Sequence, residues 1–344
     1  MLIIIFFVIG IYLNIGNEDG GNPLLDGNKG VNPNEHLNEK STTSEKGRVA
    51  KATEGLAVTI GKNAEEIEAE FGEPDRIDLS AYGYEWWIYK KDYSNYIQLA
   101  VEDGKVVSAY GIGEKVNVAP FKIGQSLDAI YSSLYIEPTV DIEVDDSSYR
   151  FELSEEDMNM RPLIKLGNIH VQLYLDKFTG TVSSIRFLND SVLLKQQPYE
   201  LTYHGKLPSV EPLSKEDMEK VEDGNEQQIF DITNIMRNRF DLKPLEWEGP
   251  TSAVAYLHSR EMTDASEGTH VSEAKGDLEK RLDAGHVKYK AAGENIAAHY
   301  VDAAAVMEGW LNSKGHRDTM LNEEFTGLGV GVYNKYYTQN FIKK

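Results

Sequence analysis

Five side chains in the last third of the chain have types that could do chemistry: His258, His270, Glu294, Ser313 and His316. Gly315 reads as the cap ending a helix through Ala303, Val306, Met307 and Trp310, so His316 opens a short helix toward Leu321. The partial positive charge at a helix N-terminus disfavours imidazolium, and a ring left neutral at about pH 7 is free to act as ligand or base. Glu294 comes just after Gly293 in a tight segment entering a strand, where its carboxylate could orient one imidazole. Ser313 and His316 form a conceivable nucleophile and base, but their spacing across a glycine turn is no nucleophile elbow. No His-Glu-x-x-His run and no Ser-His-Asp arrangement accompanies them. The chain contains no Cys, which removes thiolate ligands, Cys nucleophiles and disulfides. Spacing by itself leaves His270 and His316 as ordinary surface or cap residues. His258 shares a helix face with Ala255 and Met262, the setting of a satisfied core histidine.

These residues need elements to hold them. Ile229, Ile232, Thr233, Met236 and Phe240 have the spacing of an amphipathic helix over Glu226 to Phe240, Pro244 to Trp247 is extended, and a second helix runs from about Thr251 to Ala265. Around them stand Asn234-x-x-Arg237, Leu242-Lys243-Pro244-Leu245-x-Trp247, Ala255-x-x-His258-Ser259-x-x-Met262, Thr269-His270 and Ala292-Gly293-Glu294-Asn295-Ile296-Ala297. They continue with Trp310-Leu311-Asn312-Ser313-x-Gly315-His316-Arg317, Gly329-Val330-Gly331-Val332 and Tyr336-Tyr337-Thr338-Gln339. In this order the series resembles the bacterial branch of the CAP superfamily (cysteine-rich secretory proteins, antigen 5 and pathogenesis-related 1 proteins). The resemblance implies a three-layer α-β-α sandwich over residues 225–344, with two His and two acidic residues meeting in an open groove. Those positions fall on His270, Glu294 and His316, with Ser313 in place of the fourth, acidic one. Two imidazoles and a carboxylate suit a divalent metal, Zn²⁺ above all, but the missing acid lowers the expected affinity. No cofactor is required by this reading.

Upstream the chain repeats itself, over about residues 58–113 and 121–190. Each unit has an Ile-Gly pair, then Asn63 or Ser126 as a helix N-cap, a short helix broken before a Pro, and strands. The expected strands are Tyr84 to Tyr89, Tyr96 to Val101 and Lys105 to Tyr110 in the first unit, and Tyr149 to Leu153, Ile169 to Leu175 and Val182 to Phe187 in the second. A helix followed by an antiparallel meander, twice, is an α+β module over residues 56–200, and it resembles the CAP-associated domain of exported Gram-positive proteins. Because the repeat supplies its own helices and strands, it is expected to fold without the C-terminal third. Tyr82, Tyr84, Trp86, Trp87, Tyr89, Tyr93 and Tyr96 cluster in the first unit, with Tyr84, Trp86 and Ile88 on one strand face and Glu85, Trp87 and Tyr89 on the other. They read as core plus domain interface, or as an exposed aromatic platform. Residues 201–224, rich in charge and Pro, read as an inter-domain linker.

Leu2 to Leu13 is an unbroken apolar run of signal-peptide length, with no Lys or Arg before it and no clear small-x-small cleavage site after it. Residues 1–16 are therefore either a signal peptide whose start lies upstream of Met1 or an uncleaved membrane anchor. Residues 17–55, rich in Gly, Asn, Glu, Lys and Ser, form a flexible spacer. Both readings export the rest to the cell surface or beyond. A formal charge of −21 argues against nucleic acid and against anionic lipid headgroups as partners, leaving the N-terminal segment as the membrane contact. The expected function is an extracellular module binding a lipid, peptide or cell-wall component in the groove. A metal-assisted hydrolase or peptidase, and a structural or regulatory cell-surface scaffold, are the alternatives. Oligomeric state is not legible.

Overall fold

The computed structural model describes residues 52–265 and 276–344. The apolar run, residues 17–51 of the spacer, and His270 lie outside the described residues. Among the described residues no helix is long and apolar enough to cross a membrane.

The N-terminal half runs α1 (Ala64–Phe71), β1 (Arg76–Leu79), β2 (Glu85–Asp92), β3 (Asn95–Glu102), β4 (Lys105–Ile112), α2 (Leu127–Ser133), β5 (Thr139–Val144) and β6 (Ser147–Glu152). It continues with α3 (Glu155–Met160), β7 (Leu163–Leu166), β8 (Ile169–Asp176), β9 (Thr181–Leu188), α4 (Asp190–Gln196) and β10 (Glu200–His204). The repeat takes visible form in the strand order β1-β2-β3-β4-β9-β8-β7, in which the last strands of the two units pair antiparallel at the centre. Asn63 caps α1 through a capping box and Ser126 caps α2 by accepting from the Ala129 N–H, as their spacing predicts. The two caps also bridge equivalent strands, Asn63 to Lys105 and Ser126 to Thr181. One strand of the second unit departs from expectation. Tyr149 to Leu153 falls on β6, which joins β5 and β10 in a separate three-stranded sheet, and β7 takes its expected place beside β8.

The predicted linker over 201–224 is corrected at both ends. Backbone pairing to β6 makes 200–204 a strand, and a 25-residue helix, α5 (Lys215–Arg239), starts far upstream of Glu226. Ser214 caps it by accepting from the Asp217 N–H, and its first turns carry exposed charges paired along the helix, Lys215 with Glu219 and Lys220 with Glu216. Charge that looked like linker composition is the solvated end of a helix.

After α5 come β11 (Glu246–Trp247), α6 (Gly249–Ala265), α7 (Leu278–Ala284), β12 (Ala291–Ala298), α8 (Ala303–Leu311), α9 (Lys314–Met320), β13 (Gly327–Tyr333) and β14 (Tyr336–Lys343). The sheet order is β11-β13-β14-β12. On one face Ser252 and Ser259 of α6 donate to the Val330 and Gly331 carbonyls of β13. On the other, Gln339 of β14 donates to Thr233 of α5, beside Met307 of α8. This is the three-layer α-β-α sandwich.

The two halves share one apolar cluster. Tyr82, Tyr84, Trp86, Ile88 and Tyr96 of the N-terminal sheet pack with Ile232, Val306 and Trp310, while Trp87 and Tyr89 point into a second cluster inside the N-terminal half. The clustered aromatics of the first unit thus form core and interface instead of an exposed platform, since both faces of their strand are covered. An isolated 56–200 fragment would bare that shared face. Polar contacts cross it as well. Arg186, fully buried, reaches Asp302 at 2.8 Å, and Asp231 pairs with Lys90 at 2.6 Å and Arg76 at 3.2 Å. Glu308 accepts from Ser183 at 3.0 Å and Ser184 at 2.5 Å.

Burial pushes the Glu308 carboxyl from 4.5 up to about 7, against the pull of the Ser184 and Ser183 hydroxyls and Arg239. A carboxyl raised in the folded state contributes stability that is complete below its unfolded value and is lost as pH rises through the folded one. Stability linked to Glu308 therefore falls between 4.5 and about 7. Glu308→Gln keeps an acceptor for both serines and removes the ionisation. Thermal melts should show the variant gaining on the wild type from about pH 5 to about pH 8; parallel curves would contradict the assignment.

Candidate functional site

The site grows from the strand alternation of β12 and β14. Glu294 is mid-strand in β12, directly opposite Asn340, rather than at a strand entry. Its side chain faces α6 and α7, as do Ala292 and Ile342, which pack with Val254 and Leu278. Arg281 of α7 donates to the Glu294 carboxylate at 2.5 Å, with the two side chains 2% and 4% exposed. His258 of α6 stands on the other side: Nε2 is 4.0 Å from Glu294 Oε1 and Nδ1 is 4.0 Å from Glu261 Oε2. His258 is buried, as expected of its helix face, but its neighbours are the carboxylates of the candidate site. The Asn340 amide, fully buried, adds a polar group in the same layer.

His316 comes from the opposite layer. Asn312, not Gly315, ends α8, and Ser313 is the N-cap of α9 with extended backbone and no side-chain cap bond. Gly315 and His316 are therefore both buried in the first turn of α9. The correction follows from the two helices meeting with only Asn312 and Ser313 between them, which leaves no room for a glycine cap. The His316 carbonyl accepts from Asn295 Nδ2 at 3.0 Å, and the same amide reaches Gln339 at 3.1 Å. Glu294 and His316 are thus held on adjoining elements with Asn295 as the link, and Ser313 sits three residues before His316 in the same turn.

Sequence reasoning missed Arg281 and Asn340. The Asp277 N-cap, accepting from the Lys280 N–H, is the one signal that could have found α7. The 281–294 pairing itself has no sequence signature.

Chemically, Glu294 is already committed. A guanidinium at 2.5 Å in a dry layer takes up one of its carboxylate oxygens. A divalent cation on the same carboxylate would share it with a fixed positive charge, so the described residues fit such an ion poorly. Among the described residues no three His, Asp or Glu side chains converge to hold a metal. The N-terminal half docks against α5, α8, α9 and the loop at Val301, on the face of the sheet away from α6, α7 and Glu294 but on the layer that carries His316.

These features have counterparts in known proteins. Residues 60–199 match the CAP-associated N-terminal family and residues 230–342 the cysteine-rich secretory protein family. The chain is 47% identical over 297 residues to the uncharacterized membrane protein YlbC of Bacillus subtilis (strain 168), covering 86% of each chain. An extracellular protein containing an SCP domain from Bacillus anthracis str. Ames superposes with a TM-score of 0.82 at 43% identity, over 88% of this chain and 99% of that one. A cysteine-rich secretory protein from Staphylococcus aureus subsp. aureus Mu50 superposes with a TM-score of 0.76 at 31% identity, over 86% and 95%. Two family matches in sequence, and relatives at this identity that cover more than four-fifths of the chain, place it in the cysteine-rich secretory protein (CAP) family, in the form that carries a CAP-associated N-terminal domain.

Proposed function

We propose that the protein is a cell-surface binding module that takes a lipid, peptide or cell-wall component in the groove of its CAP sandwich, tethered or exported through Leu2 to Leu13. The observation that carries this reading is the Arg281–Glu294 ion pair. It turns the acid expected to assist metal or base chemistry into part of a fixed, charge-balanced wall, which suits recognition better than hydrolysis. The N-terminal half docks on the face of the sheet away from α6 and α7, so it does not cover the Glu294 side of the groove, which supports ligand binding over the scaffold alternative. The extracellular and membrane-protein names of the relatives agree with a location at the cell surface.

On this reading Zn²⁺ is held weakly, by His270 and His316, with Glu294 already shared. Calorimetric titration should give an affinity far below the ~10–16 kcal/mol of structural zinc sites, and none at all in a His270→Ala, His316→Ala double variant. A peptide-cleavage screen on the same proteins should be blank. Cleavage by the wild type that disappears in the double variant would replace the binding reading with the metal-assisted hydrolase, and Zn²⁺ binding unchanged in that variant would exclude the proposed ligands.

A further inference from the structure

We infer that the N-terminal domain is a positioning element for the groove, with Leu175, Asp176 and Lys177 at the end of β8 fixing the 312–317 segment and, through it, His316. The contacts are consecutive. Asn312 Nδ2 donates to the Leu175 carbonyl at 2.8 Å, and the Lys177 N–H donates to Asn312 Oδ1 at 2.9 Å. Arg317 donates to Asp176 Oδ1 at 2.9 Å, with Asp176 itself fully buried. The guanidinium of Arg317 lies between two phenyl rings, Phe178 of the N-terminal domain and Phe240 at the end of α5, each 4.9 Å away. Asp176 is held in turn, since its Oδ1 also accepts from the Phe178 and Thr179 N–H groups at 3.0 and 3.3 Å.

These anchors bracket His316. Helix α9 has seven residues, too few to define its own position, so its placement comes from tertiary contacts at its two ends. Within the sandwich, the Asn295 amide holds the His316 carbonyl and Arg237 of α5 donates to the Met320 carbonyl at 2.8 Å; at the start of α9 and at Arg317 the grip comes from the N-terminal domain. Coupling between two sites is reciprocal, so whatever engages His316 feels the docking of the N-terminal domain and tightens it in turn. The inference takes its functional meaning from the reading of His316 as a groove residue, but its geometry is tested without any ligand.

The full-length protein, labelled at histidine and with the His316 ring signal assigned through His316→Gln, is compared by NMR at one fixed pH. Asp176→Asn leaves the size of the side chain unchanged and weakens the Arg317 contact. Phe178→Ala removes one ring at a position 45% exposed, so it folds even where the buried change does not. Asp231→Asn weakens the same interface through Arg76 and Lys90, away from α9. The expected result is a His316 ring signal that shifts or splits in Asp176→Asn and Phe178→Ala and stays in place in Asp231→Asn. A signal that stays put in both α9-side variants would overturn the inference, as would an equal shift in all three, which reports general loosening. Because no ligand is added, failure of the binding reading leaves this outcome readable.

Discussion

Gly331→Ala is expected to abolish the folded C-terminal half or to cost it at least about 3 kcal/mol, the upper range for overpacked cores. A Cβ at Gly331 would lie 1.9 Å from the Tyr256 nitrogen and 2.2 Å from the Ala255 carbonyl carbon, and at Gly329 2.2 Å from the Ser252 nitrogen. All are backbone atoms of α6, so no rotamer change relieves the contact; the helix layer has to lift off the sheet. That would break the Ser252 and Ser259 bonds to β13 and loosen His258 against Glu294. Close packing transmits the strain instead of absorbing it. Gly249→Ala, where an added Cβ meets nothing within 4 Å, serves as the control. Denaturant unfolding of the two variants is the measurement; a Gly331→Ala midpoint equal to that of Gly249→Ala would show that α6 packs less closely than described.

Arg186→Met should destabilise the protein by about 3–5 kcal/mol, the range for removing one partner of a buried pair. That is a large share of the ~5–15 kcal/mol that separates folded from unfolded domains. The Arg186 guanidinium stands 5.8 Å from the rings of Trp86, Tyr110 and Tyr174, donates to Gln196 at 3.2 Å and to Asp302 at 2.8 Å. Without it the Asp302 carboxylate, 5% exposed, keeps the Ala305 N–H of the α8 N-cap but loses its cation. The double variant Arg186→Met, Asp302→Ala removes the stranded charge, so it should recover part of the loss in a double-mutant cycle. Equilibrium unfolding checks both. A loss under about 1 kcal/mol for Arg186→Met would mean that water reaches this interface and that the two halves are less firmly joined.

Much of the fold could be read from local signals, and the reasons are local. The meander strands around Asp103-Gly104 and Asp176 to Gly180, the N-caps Asn63 and Ser126, and the helices through Ile232 and Ala255 follow from period and turn chemistry over a few residues. Errors came where composition stood in for pairing. Residues 201–224 carry the charges of a linker, yet β10 is made by its hydrogen bonds to β6 and the start of α5 by Ser214. Gly315 looked like a cap because glycine so often is one; buried in the first turn of α9, it has a packing role instead.

The candidate site divides along the same line. By itself the sequence determined the residue types, the absence of Cys, the order of the motifs and so the sandwich, because these are properties of the chain read in order. Even the spacing Gly329-x-Gly331 was legible, although its reason, the approach of α6 to the sheet, was not. Tertiary structure alone decided that Glu294 meets Arg281 and His258, that the clustered aromatics are covered on both faces, and that Asp176 grips Arg317 across 141 residues. Such pairings depend on which strand faces which helix and on how two domains dock. No local period encodes them, because their stability comes from removing partners together from water, and that happens only once the layers have assembled.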